Sequence, residues 1–105
     1  MKEIRAYIQP FMLSRVTQTL LKIPGFPGMN VSDCEGFDGN PAEDGFTPYI
    51  SKKRIEIFAP DELVKIIFDT LIQAANTHHS DAGKVYLIEV SKNGKINDGA
   101  SGNSS

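Results

Sequence analysis

NVSDCEGFDGNPAEDGFTPYISKKRIEIFAP, residues 30–60, sets two strand-like runs on either side of a segment that cannot pack a core. The 14 residues from Asp38 to Ser51 include two Gly and two Pro, and four of the first seven carry a carboxylate or an amide. Residues of this kind punctuate strands. Unstructured segments of this length are uncommon inside compact domains and are usually functional. The stretch therefore reads as an exposed loop between paired strands, based on Gly36-Phe37 and Lys52-Lys53-Arg54. Whatever the protein senses or touches is expected to involve it.

Working outward towards the amino terminus, Met29 to Phe37 is the strand entering the loop, and the tight turn PGFPG precedes it. Leu13, Val16, Leu20 and Leu21 recur at helical spacing, with Ser14 placed to start a helix and Pro24-Gly25 to stop it. Lys2 to Gln9 alternates, Ile4, Ala6 and Ile8 sharing one face, which is the pattern of a half-buried strand ended by Pro10. Towards the carboxyl terminus, Lys52 to Phe58 is a strand with Ile55 and Ile57 facing the core. Pro60-Asp61-Glu62 then opens a helix with carboxylates at the positive end of its dipole. Its apolar stripe runs through Leu63, Val64, Ile67, Phe68, Leu71, Ile72 and Ala75, and Lys84 to Val90 is a fourth strand. The order β-α-β-β-α-β predicts an α+β, ferredoxin-like fold, an antiparallel sheet with both helices on one face. The domain spans 1–98, and 99–105, GASGNSS from Gly99, is expected to be a disordered tail. Such a small sheet leaves edges and a second face uncovered, which self-association would cover.

Bulk properties narrow the field. A chain of 105 residues, 40% hydrophobic and 23% charged, is one ordinary globular domain. A net charge of −2 gives no electrostatic case for nucleic acid or an anionic membrane. No apolar run is long enough to span a membrane, and MKEIRAYIQPF alternates rather than running apolar like a signal peptide. The single cysteine, Cys34, excludes an intrachain disulfide and fits a reducing compartment, so a cytoplasmic location is expected.

Catalysis has little support: no Ser or Cys nucleophile comes with an evident base, and no carboxylate pair is placed for acid–base work. His78 and His79 are adjacent in a turn, and with Asp81, and Cys34 if it lies nearby in space, they are the candidate metal ligands. An anion site is better supported. Ser80-Asp81-Ala82-Gly83-Lys84 is a turn entering a strand, where free backbone N–H groups and a lysine can cradle a phosphate. Lys52, Arg54, Lys92 and Lys95 add positive charge in segments that can converge on it. The spacing of a Walker A loop is absent.

Four segments, MKEIRAYIQPFML, GMNVSDCEGF, KKRIEIFAPDELV and TLIQAANTHHSDAGKVYLIEV, occur in an order that resembles the PII signal-transduction proteins along nearly all of residues 1–98. The resemblance implies a homotrimer that binds ATP or ADP at clefts between subunits. It also implies a flexible T-loop that docks on a membrane transporter or a metabolic enzyme. By position, Lys84 matches the family's phosphate-binding lysine and Gly83 the second glycine of its Gly-Asp-Gly-Lys turn. Gly36 and Phe37 match the Gly-Phe before the T-loop, and Asn30 stands where threonine usually lies beside the nucleotide. Glu56 and Phe58 fall on the strand lining the adenine pocket, Lys52 at the T-loop exit, and Lys95 at one of two late arginines.

The departures are specific. The turn reads Asp81-Ala82-Gly83-Lys84, and the two late arginines are Lys95 and Asn97, neither of which offers a guanidinium fork. One lost charge-assisted bond costs about 2 kcal/mol, or roughly 30-fold in affinity. The T-loop glutamine aligns with Asn40, one methylene shorter, and the preceding glycine with Asp38. Tyr49 sits in FTPYISKKR, not in the modification motif, and the loop is several residues shorter. Asp38, Asn40 and Tyr49 are thus the candidate effector and partner contacts of a loop that departs from Mg²⁺-dependent 2-oxoglutarate sensing and from uridylylation. Nucleotide binding is left with three outcomes: weakened, shifted towards ADP or AMP, or lost. IPGFPGM and EIFAPDEL also resemble a PII-like subgroup whose genes accompany heavy-metal efflux pumps. The competing readings are a metal-tolerance protein of the CutA type, which shares the trimeric fold, and an acylphosphatase-type enzyme. The latter needs an arginine-bearing loop after the first strand, and QPFML supplies none.

Overall fold

A computed structural model describes residues 1–37, 39, 45, 49–79, 82–98 and 100–102. Strand β1 (Lys2–Ile8) is followed by a 3-10 turn at Pro10–Met12 and helix α1 (Leu13–Leu21). Then come β2 (Asn30–Gly36), β3 (Ile50–Ala59), α2 (Asp61–Ala75) and β4 (Gly83–Glu89). The sheet order is β2-β3-β1-β4, with every neighbouring pair antiparallel. This is the ferredoxin-like arrangement expected from the element order.

Alternation in β1 and β3 sends Ile4, Ala6, Ile8, Ile55, Ile57 and Ala59 to one face, where each is at most 2% exposed. The helices close over that face. Val16 and Leu20 from α1, one turn apart, meet Val64, Ile67, Leu71, Ala74 and Ala75 from α2 in the same core. Pro10 both ends β1 and opens the 3-10 turn, where its missing N–H has no partner to lose. Helix α1 begins with Met12 as its cap, and no side chain caps it. Ser14, expected to start the helix, lies one residue inside it. Gly25, at φ 79°, supplies the left-handed turn after the helix that a β-carbon would strain. Pro60 in extended geometry caps α2, and Asp61 and Glu62 occupy its first turn.

Two boundaries differ from the sequence reading. Ile50 and Ser51, expected in the loop, belong to β3, because Gly36 pairs with Ile50 and Glu35 with Ser51. The Ser51 hydroxyl donates to Glu35 at 3.0 Å, and the next pair out, Phe37 and Tyr49, brings its rings to 5.8 Å. Cross-strand contacts thus carry the hairpin further out than composition suggests. In the tail, β6 (Ala100–Gly102) pairs with β5 (Asn93–Lys95) in a separate two-stranded ladder. Backbone pairing organises these three residues. Among the described residues, no helix is long and apolar enough to cross a membrane.

Candidate functional site

Residues directly opposite each other on paired strands share a face. The face turned away from the helices therefore carries Glu3, Arg5 and Tyr7 of β1 and their partners on either side. One row is Lys84, Tyr7 and Arg54; the next is Tyr86, Arg5, Glu56 and Asn30; the third is Ile88, Glu3 and Phe58. Lys52 continues the face along β3, opposite Cys34. Of the expected site residues, Asn30 and Glu56 are therefore direct neighbours, and Lys52 and Phe58 lie on the same strand face as Glu56. Gly36 ends β2 and Phe37 rests against Tyr49, at the base of the loop. Lys95 lies apart, on β5.

Charge on this face is largely paired. Arg5 forks the carboxylate of Glu3 at 2.8 and 3.0 Å, which allows Glu3 to be only 6% exposed. That hydrogen-bonded pairing raises the pKa of Arg5 above its ordinary value. Arg54 Nη2 donates to Glu56 at 2.7 Å, so the Glu56 carboxylate already has a cation. Tyr7 and Tyr86 meet edge to face with centroids 6.3 Å apart.

Lys84 has a different setting. It lines a cleft of about 290 Å³ where the end of α2 meets the start of β4. Tyr7 and Asn76 are the other polar residues that line it, and Ile8, Leu71, Ile72 and Ala75 are among the apolar ones. Gly83 fixes the lysine's position. Its φ is 134°, and a β-carbon there would stand 2.0 Å from the carbonyl oxygen of Tyr7. Only glycine lets β4 come this close to β1. The turn before it offers less than the sequence implied, since the Ala82 N–H donates to the His79 carbonyl at 3.2 Å.

The candidate metal ligands are not gathered in one chain. His78 and His79 are exposed; His78 has a φ of 61°, and its N–H donates to Asn76 Oδ1 at 2.7 Å. Cys34 sits on β2, at the opposite edge of the sheet from β4. Three strand spacings, roughly 14 Å, separate those edges. Among the described residues no three His, Cys, Asp or Glu side chains come together. Asp38, Asn40 and Asp81 lie outside the described residues. Tyr7 and Asn76 were not singled out from the sequence. Tyr7 alternates away from the core, but its place beside Lys84 depends on a strand pairing that no local pattern announces.

Fold and site define a ferredoxin-like α+β protein with a cation-bearing cleft at one sheet edge and a hairpin loop at the other. Comparison with known proteins narrows this class. The model of the family described as nitrogen regulatory protein P-II matches residues 1–100. Nitrogen regulatory protein P-II 1 of Escherichia coli strain K12 is 31% identical over 99 residues, 88% of each chain. The P-II protein of Haemophilus influenzae is 29% identical over 106 residues, 94% of each chain. A crystal structure of Arabidopsis thaliana PII bound to citrate superposes with a TM-score of 0.78 at 28% identity, covering 97% of this chain and 85% of that one. The chain belongs to the nitrogen regulatory protein P-II family, whose members are signal-transduction regulators.

Proposed function

We propose that this P-II family protein is a cytoplasmic, homotrimeric regulator. It binds an adenine nucleotide or another small anion at clefts between subunits and acts on a membrane transporter or a metabolic enzyme through the β2–β3 loop. One observation carries the reading: the expected site is split across a single sheet. Lys84 stands on one edge strand and Asn30 on the other, roughly 14 Å apart. A ligand that contacts both is best served by the β4 edge of one copy and the β2 edge of the next. The open face supports self-association, because Phe58 and Tyr86 remain 42% and 47% exposed. That the Arabidopsis relative is bound to citrate makes a compact polycarboxylate a useful second probe.

The test is calorimetric titration of ATP, ADP, AMP and citrate, with and without Mg²⁺, into the wild type and Lys84→Ala. Micromolar binding of at least one of these anions, lost in Lys84→Ala, is the expected result. No binding by any of them removes the cleft from the account. Binding that survives the substitution removes Lys84 from it.

A further inference from the structure

Strand register leaves part of the main sheet without neighbours. Ile8, the last residue of β1, lies opposite Lys53 on one side and Gly83, the first residue of β4, on the other. Lys53 in turn lies opposite Asp33. Three further pairs, Cys34–Lys52, Glu35–Ser51 and Gly36–Ile50, therefore project past the body of the sheet as a two-stranded arm about 10 Å long. Two strands alone are marginal in water, and the Phe37–Tyr49 ring contact steadies the end of this pair.

Strand β2 is an edge strand, so its outer backbone groups are a template for another strand. Such edges are commonly guarded by lysine, proline or a bulge. Here there is no lysine or proline, and one-to-one register with β3 through all seven residues leaves no bulge. The guards are carboxylates. Asp33 and Glu35, both exposed and two residues apart, share a face of the strand. Asp33 pairs with Lys53, yet its side chain stays 83% exposed. Residues 30–51 hold five Asp or Glu and no Lys, Arg or His, in a chain whose net charge is only −2. Like charges directly opposite destabilise a strand pair and unlike charges stabilise it. The edge thus disfavours a second acidic β2 and suits a basic strand.

We propose that the outer half of β2, from Asp33 to Gly36, receives an extended basic segment of a partner protein as an added strand, whose Lys or Arg side chains meet Asp33 and Glu35. The inference rests on the β2–β3 hairpin being the partner-binding element of the proposed function, and it names the edge used and the chemistry of the partner.

The probe is a capped peptide of alternating lysine and valine, titrated into the isotope-labelled full chain. Two controls run beside it: its fully backbone-N-methylated counterpart, with the same charges and no N–H, and an alternating glutamate–valine peptide. Expected are amide shifts and slowed amide exchange at Cys34–Gly36 with the lysine peptide alone, weakened by added salt. Binding should fall at least about tenfold in Glu35→Lys, an exposed position whose fold circular dichroism checks. Equal binding of the N-methylated peptide overturns the inference, because charge alone then suffices. Shifts confined to residues 38–48 overturn the edge pairing while leaving the loop contact of the proposed function standing. No binding of the lysine peptide overturns the inference as well, and the nucleotide titration with Lys84→Ala judges the ligand half of the proposed function separately.

Discussion

A methyl group at position 83 would have to share space with the carbonyl oxygen of Tyr7, and that collision gives one glycine two separate duties. It lets two backbones touch, and it sets the direction in which Lys84 leaves the strand. Gly83→Ala is expected to lower stability by about 2–4 kcal/mol, read as a shift in the urea midpoint, whether or not any ligand is present. Lys84→Ala, on an exposed side chain, is expected to leave that midpoint within about 0.5 kcal/mol. The pair therefore separates scaffold from proposed ligand contact at adjacent positions. A second residue-scale effect concerns pH. The α-amino group of Met1 lies 2.9 Å from Asp61, and this hydrogen bond, reinforced by the charge, holds the Asp61 carboxyl below the usual carboxylate range. Its stabilising share is complete above the unfolded carboxylate pKa and is lost as pH falls through the lowered folded value. A carboxyl-carbon NMR titration should place Asp61 below the ordinary aspartate value, and Asp61→Asn should flatten that part of the acid limb.

Elements differ in how openly the sequence announced them. Both helices and all four strands of the main sheet were legible, because Val16 and Leu20, or Ile55 and Ile57, declare their periods within a few residues. The helix α2 stripe was legible enough to fix its packing, and Ile67→Ala, at a position with no exposure, should cost about 2–5 kcal/mol in chemical denaturation. What stayed hidden was produced by pairing rather than by composition. Ile50 reads as loop beside Pro48 and Tyr49, yet the partner strand captures it. The residues of 100–102 read as tail, yet Asn93–Lys95 supplies a ladder. The same holds for the site: Gly83 and Lys84 were legible through their turn, whereas Tyr7 and Asn76 join them only through register and the position where α2 ends. The ring contact between Phe37 and Tyr49 belongs to this scale as well. Tyr49→Ala should fray the outer pairs of the β2–β3 hairpin, seen as faster amide exchange at Gly36 and Ile50, with the core amides of β1 unchanged.

At the scale of the molecule, one sheet face is a shared core and the other is an open surface of aromatics and paired charges. Native mass spectrometry should give three times the 11.5 kDa of the chain, and Phe58→Glu combined with Tyr86→Glu should shift it to single chains. Circular dichroism of the separated chain would retain its helical signal if, as the burial pattern indicates, the helix-covered core is independent of that face. The strand order has one more consequence. Strand β1 is synthesised before the other strands of its sheet, yet it occupies an interior place in it, with Ala59 opposite Lys2 on one side and Glu89 on the other. At about 5–20 residues per second, it waits several seconds for β4 to be synthesised. During that interval its apolar row of Ile4, Ala6 and Ile8 has no complete sheet to enter. Codons that slow synthesis between α2 and β4 should therefore raise aggregation of the nascent chain without altering a single residue of the product.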